Sequence, residues 1–348
     1  MEKHFDIERL VRNNVRALQP YASARDEYVS DGSEMVFLDA NENPFESGLN
    51  RYPDPHQRAL KTVLALKKGV SEDQILIGNG SDEVLDLIFR AFCEPNRDNV
   101  ITLPPTYGMY GVLANINAVA NRKVALTKYF EINAPLVLQN VDESTKVIFL
   151  CSPNNPTGNT FSENHIETVL LGFSGLVVID EAYIDFSNKE SWSKRLQGFP
   201  NLIVTQTLSK AYGLAGIRLG TCYASKPIID ILKKIKPPYN INELTQRHAL
   251  KAIGNHEKLQ KQVDAIIEQR NIILGQLKQV PCIENVFATD ANFVLVKVDD
   301  ADLRYQQLIE RGIVVRNRSN QPLCEQTLRL TIGTENENKN LLQNLNEL

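Results

Sequence analysis

The sequence predicts an α/β protein: a large domain with a mainly parallel, seven-stranded sheet, joined to a smaller α+β domain. Three observations predict it. Between residues 74 and 225, short apolar runs ("QILIG", "NVITL", "KVALT", "KVIFL", "GLVVID", "NLIVT", "LGTCYAS") alternate with amphipathic stretches, the rhythm of strands joined by crossover helices. After "KPPYNINELT" the chain changes to long helix and then to a second set of strands. Its 348 residues exceed what one core usually serves.

Taken in order, "MEKHFDIERLVRNNVRAL" sets Ile7, Leu10, Val11 and Leu18 on one face, which predicts an amphipathic helix rather than a signal peptide. The seven apolar runs follow. Residues 249–277 carry Leu250, Ile253, Leu259, Val263, Ile266, Ile267 and Leu274 between charges, a long helix expected to bridge two lobes. The tail offers strands "NFVLVKV", "GIVVR" and "TLRLTIG" with helices between them, a small domain completed by the N-terminal segment. The expected boundaries are 45–245 for the large domain, 1–44 with 275–348 for the small one, and 246–274 for the bridging helix.

Composition excludes several functions. Apolar residues at 43% and charged ones at 23% fit a soluble globular chain. The net charge of −4, with basic residues scattered among acids, offers no footprint for a nucleic-acid backbone. No apolar run approaches the length that spans a membrane. The five cysteines are odd in number and far apart, which points to reduced thiols and a cytoplasmic protein. His4, His56, His165, His248 and His256 show no metal-ligand spacing and no CxxC pair accompanies them, so no metal is expected.

In parallel sheets ligands bind beyond the carboxyl ends of the strands, and here the residues after each run are polar and particular. "GNGSDE" puts Ser81 and Asp82 where a helix begins and its N–H groups can receive an anion, although both are also ordinary helix caps. Ser209, Lys210 and Arg218 of "TLSKAYGLAGIRLG" could complete a phosphate site. A lysine that condenses with an aldehyde must first lose its proton, and partial burial beside Arg218 favours that. Asp180 ends the apolar run of "GLVVIDEAYIDF", where an unpaired carboxylate is costly and wants a cation such as a protonated pyridine nitrogen. Tyr183 could reach that ring's phenolic oxygen, Asn155 of "SPNNPTG" could bond it together with a substrate group, and Tyr107 of "PPTYG" could stack on the ring.

These segments, with "LDANENPF", "RYPDP" and "LRLTIG", resemble the fold type I pyridoxal-phosphate aminotransferases over nearly the whole chain, most closely the subgroup acting on histidinol phosphate. The resemblance implies pyridoxal 5'-phosphate as cofactor, bonded to Lys210, which also shuttles the substrate's α-proton. It implies Asp180 on the pyridine nitrogen, Tyr183 and Asn155 on the ring oxygen, and Tyr107 over the ring. Ser81, Asp82, Ser209 and Arg218 would take the phosphate, joined by Tyr52 of a neighbouring subunit, so a homodimer with shared sites is implied. Arg329 would grip the substrate carboxylate, with Tyr21, Asn43 and Arg316 near the substrate's phosphate or the entrance. Phe45 stands where relatives commonly have tyrosine, and Ser81 where alanine is frequent. The implied reaction moves an amino group between glutamate/2-oxoglutarate and imidazole-acetol phosphate/L-histidinol phosphate, in histidine biosynthesis. Phosphothreonine decarboxylases and aromatic aminotransferases share most of these motifs, and a non-catalytic regulator on the same fold is a third reading.

Overall fold

The computed structural model describes residues 5–21 and 35–348. Seven strands, β1 (Ile75–Asn79), β2 (Asn99–Thr102), β3 (Ala120–Lys123), β4 (Thr145–Cys151), β5 (Leu176–Asp180), β6 (Leu202–Thr207) and β7 (Leu219–Ala224), form one sheet in the order β1-β7-β6-β5-β4-β2-β3. The five from β3 to β6 are mutually parallel, whereas β7 runs antiparallel to both β1 and β6. The apolar runs of β4, β5 and β6 are almost wholly buried, as helices on both faces require. "KVALT" contributes only Lys123 to β3, so the strand lies ahead of the run expected to form it.

One face of this sheet is covered by α4 (Gly80–Phe92), α5 (Met109–Ile116) and α8 (Lys226–Ile235). The other packs against α3 (Arg58–Lys68), α6 (Ala134–Gln139), α7 (Glu163–Gly172) and α9 (Glu243–Gly254). The N-terminal segment corrects two expectations. It forms two short helices, α1 (Ile7–Leu10) and α2 (Asn13–Ala17), not one; residues 1–4 lie outside the described residues. Val11 and Val15 bury against the α4 and α8 face, so residues 5–17 join the large sheet rather than completing the small domain.

A four-stranded antiparallel sheet, ordered β10-β11-β9-β8, comprises β8 (Ile283–Val286), β9 (Phe293–Val298), β10 (Arg316–Asn317) and β11 (Thr327–Thr331). Its core is shared with α10 (His256–Leu277), α11 (Ala301–Glu310) and α12 (Glu335–Asn346). The segment expected as one bridging helix is two, because Asn255 leaves helical geometry and caps α10 with its side chain. "GIVVR" likewise yields only the two-residue β10, since Gly312 takes a left-handed turn and pairing begins at Arg316. The two sheets meet through Tyr183, Phe186, Ala211, Val263, Ala291 and Phe293, and through Arg270, whose guanidinium donates to the carbonyls of Phe186 and Ala291 at 3.0 Å each.

Backbone proximity at the start of α4 sets the position of the site. Gly80 has φ +75°, and a Cβ there would stand 2.7 Å from Arg218 Nη2. A Cβ on Gly220 of β7 would stand 2.2 Å from the Ser81 backbone nitrogen. Gly220→Ala is therefore expected to push residues 80–81 outward, lowering stability by about 1–3 kcal/mol. It should weaken cofactor binding as well. Thermal melts and a cofactor titration check this, and a variant that matches the parent in both would show that the close approach is not needed.

Candidate active site

The carboxyl ends of β4, β5 and β6 and the start of α4 open onto one cavity of about 190 Å³. Ser81, Asp82, Tyr107, Asn155, Asp180, Tyr183, Ser209, Lys210 and Arg218 line it, with Cys151, Ala182, Thr207 and Ala215 completing the wall. The anion end is built from α4, whose first-turn N–H groups have no helical carbonyl to bond. Arg218 lies beside it in a left-handed conformation, its Nη1 3.5 Å from Ser209 Oγ and its Nη2 3.7 Å from Asp82. Asp82 also accepts from the Tyr107 hydroxyl at 3.0 Å, so its side chain is engaged sideways.

Asp180 is buried at the last position of β5, and burial raises its carboxyl to about 6. The Tyr110 hydroxyl, 2.9 Å away, and the Ala182 N–H, 3.2 Å away, oppose that rise by favouring the charged form. The next residue, Glu181, points to the opposite side, as strand alternation dictates. It accepts from Ser191 Oγ, the Trp192 N–H and Gln206 Nε2, and so anchors the loop behind the site. One carboxylate of the pair serves the protein interior and the other faces the cavity.

Partial burial, then Arg329, then Arg218, push the Lys210 amine below its ordinary range, while Asp82 and Asp180 pull it upward. Arg329 thus outweighs Arg218, the cation that sequence reasoning singled out. The Lys210 ammonium lies 5.5 Å from the centre of the Tyr183 ring. Asn155 joins the two sheets: its Nδ2 donates to the Tyr183 hydroxyl at 3.3 Å, and its Oδ1 accepts from Arg329.

Four predicted residues lie elsewhere in this chain. Tyr52 is 51% exposed, stacks on Tyr239 with ring centres 4.4 Å apart, and lines a separate surface cavity with Asn41 and Glu42. Asn43 is exposed and caps a turn through the Phe45 N–H. Tyr21 sits against His56 and Lys233 in another cavity. Arg316 is exposed, though it stands opposite Arg329 in the β10–β11 ladder. Sequence reasoning missed Tyr110 and Thr207. Tyr110 follows Tyr107 by three positions at the start of α5, the helical spacing that lets one ring meet the other edge-on at 5.6 Å. That spacing was the available signal.

The sequence profile of the family "Aminotransferase class I and II" matches residues 33–345. The chain belongs to this aminotransferase family. Among its relatives, the histidinol-phosphate aminotransferase of Flavobacterium johnsoniae is 60% identical over 98% of each chain. That of Christiangramia forsetii is 59% identical over 99% of each. The fold of this aminotransferase is also that of the histidinol-phosphate aminotransferase from Sinorhizobium meliloti, solved in complex with pyridoxal-5'-phosphate. The TM-score is 0.78 at 24% identity, over 85% of this chain and 82% of that one.

The residues present fit pyridoxal phosphate. A buried carboxylate without a cationic partner among the described residues can meet the pyridine nitrogen, the helix start with Arg218 can meet the phosphate, and an amine of lowered basicity lies in the same cavity. The aminotransferase should then carry a cost when the cofactor is removed. An unfolded aspartate titrates near its ordinary 3.8 and the folded Asp180 near 6, so the folded apoprotein holds its proton between those values. It therefore loses stability as pH rises through that window, on the order of 2–3 kcal/mol in all. Asp180→Asn removes this loss, while Glu181 cancels in the comparison. The apo variant is expected to melt above the apo parent at pH 8, with the gap closing at pH 4–5, while its cofactor affinity falls at least tenfold. Parallel melting curves at all pH values would contradict the assignment of that charge.

Proposed function

We propose that the protein is a pyridoxal-phosphate-dependent histidinol-phosphate aminotransferase of histidine biosynthesis. It transfers the amino group of L-glutamate to imidazole-acetol phosphate, releasing 2-oxoglutarate and L-histidinol phosphate. The chemistry rests on one observation above the others: Lys210 and Asp180 face a single cavity, one with its proton loosened and the other in need of a cation. The choice of acceptor rests on relatives of near-identical length at 59–60% identity.

Pyridoxal phosphate, when bound, supplies an electron sink for the bonds at the α-carbon of an amino acid. Asp180 would pair with the pyridine nitrogen and keep it protonated, and Tyr110 favours the charged form of Asp180. Tyr183 and Asn155 would hold the ring oxygen, Tyr107 would cover the ring, and Ser81, Asp82, Ser209 and Arg218 would hold the phosphate. Lys210 would hold the cofactor through its Nζ and would move the proton at the substrate's α-carbon. Arg329 binds the α-carboxylate of glutamate through its planar fork and also faces the anion of the second substrate.

Tyr52 acts in the site of a second copy, which makes the working unit a homodimer. Its position outside its own cavity supports this, as do exposed apolar residues concentrated in one stretch: Leu18, Tyr21, Met35, Val36, Phe37, Leu38, Phe45, Leu49 and Tyr52. Tyr21, Asn43 and Arg316 act near the substrate's phosphate or the entrance. Five buried, unpaired cysteines support a reducing, cytoplasmic location. The working lobes are residues 45–245 and 275–348, with 246–274 between them.

Incubating the holoenzyme with glutamate and imidazole-acetol phosphate should yield 2-oxoglutarate and histidinol phosphate in equal amounts. Release of carbon dioxide instead, or no 2-oxoglutarate, rejects the reading. Lys210→Ala is expected to fold but to lose turnover, together with the visible absorbance that the lysine–cofactor bond gives near neutral pH. Mixing it with an inactive Tyr52→Phe variant should restore roughly a quarter of the parental rate on random exchange of subunits, because half of the dimers then hold one complete site. Absence of complementation would argue for sites built within one chain.

A further inference from the structure

The loop that carries Asn155 is fastened to the small sheet at a second place, outside the cavity. Residues 154–159 form a closed turn: the Asn154 N–H donates to the Asn159 carbonyl at 2.8 Å, the Gly158 N–H to the Asn154 carbonyl at 2.7 Å, and Asn154 Nδ2 to Thr157 Oγ1 at 2.8 Å. Such a turn moves as one piece. At its end the Thr160 N–H and hydroxyl both donate to one oxygen of Asp290, at 2.9 and 2.6 Å. The Asp290 N–H in turn donates to the Gly158 carbonyl at 2.8 Å. A Cβ on Gly158 would stand 2.8 Å from Thr289 Cβ, so the two loops touch with no room between them.

Asp290 belongs to the small-sheet side of this contact. Phe293, three residues on, begins β9, whose Leu295 pairs with Arg329 of β11. Its neighbour Ala291 accepts from Arg270 at 3.0 Å, and the Arg270 guanidinium and Asp290 attract each other. Loop and sheet therefore meet in two places: at Asn155 and Arg329, within reach of the cavity, and at Thr160 and Asp290, away from it. The two contacts differ in what else they must do. In the proposed reaction Arg329 takes up and releases an anion in every half-reaction, so its bond to Asn155 cannot be the loop's permanent hold. The bonds to Asp290 involve no group that meets substrate, and a carboxylate acceptor makes them the stronger kind. Half-buried Thr160 and Asp290 can keep them whether the site is empty or full.

We propose that Asp290 is a positioning residue: by holding Thr160 it keeps Asn155 in register with Tyr183 and Arg329 while Arg329 engages and releases substrate anions. The proposal rests on the aminotransferase reading above and adds to it a residue that lies outside the cavity. Displacement of a binding group by a fraction of an ångström is costly to a reaction that depends on alignment, and the anchor of the loop carries that burden.

The test uses the holoenzyme with Asp290→Ala, Asp290→Asn, Asn155→Ala and the Asp290→Ala/Asn155→Ala pair. In Asp290→Ala the KM values for glutamate and histidinol phosphate are expected to rise together, roughly 3- to 10-fold, because the anion of each meets Arg329. Glutarate, a dicarboxylate with no amine to transfer, should lose affinity by a similar factor in calorimetric titrations. Asp290→Asn keeps an acceptor oxygen for Thr160 and should stay within about twofold of the parent. On the Asn155→Ala background, Asp290→Ala should change glutarate affinity by less than about twofold, since both act through one side chain. A loss of equal size on both backgrounds overturns the positioning role. So does a lowered Tm with KM and glutarate affinity unchanged, which would leave Asp290 as a contact between domains only. Should Asp290→Ala fail to fold, Thr160→Val, which removes only the hydroxyl donor, is judged by the same cycle. A parental enzyme that transfers no amino group overturns the reading beneath the proposal, a result distinct from the other two.

Discussion

One buried negative charge organises the molecule. Asp180 is 2% exposed, pinned at the end of a strand whose neighbours on both sides are themselves buried, and no cation of the described chain pairs with it. The register that aligns Cys151, Asp180 and Thr205 brings the carboxyl ends of three parallel strands to one level, which is where the crossover architecture leaves a crevice. Two hydrogen bonds reduce the cost of the charge without removing it, and its carboxyl remains displaced upward. A chain that folds around such a group gains stability when a cation from outside fills the cavity.

The surroundings follow from that requirement. The helix start, the αL residue Arg218 and the glycines at 80 and 220 set a second, opposite-sign pole across the cavity from Asp180. A molecule with a cationic ring nitrogen at one end and a phosphate at the other would suit the two. Lys210 lies between them with its amine made less basic by cations on both sides, Arg329 from the small sheet and Arg218 from the large one. Burial and these two positive neighbours loosen the lysine's proton.

Much of this was legible in the chain because parallel strands announce themselves as apolar runs and their functional ends as abrupt polar turns. Asp180 after "LVVI", Lys210 after "TLS" and Ser81 after "GNG" are all punctuation of that kind. What the pattern could not carry is direction and partnership. A buried run such as 219–224 reads the same up or down the sheet, so the antiparallel course of β7 left no trace. Asn255 breaks a helical pattern that its neighbours continue on both sides, and Val11 and Val15 are equally apolar whichever sheet they cover. Tyr110 carried only its spacing from Tyr107 as a signal, because a buried tyrosine is ordinarily core. Its value lies in the hydroxyl's contact with a residue seventy positions away.

The coupling of the two sheets at Asn155 has an electrostatic corollary. Arg329 is the charged neighbour that most depresses the Lys210 amine, and it is held in place by the same amide that addresses Tyr183. A carboxylate bound at Arg329, the role proposed for it, would cancel that positive field and make Lys210 a stronger base. An empty site loosens the lysine's hold on its proton, and a neutralised Arg329 would tighten it. The two states differ by one neutralised guanidinium.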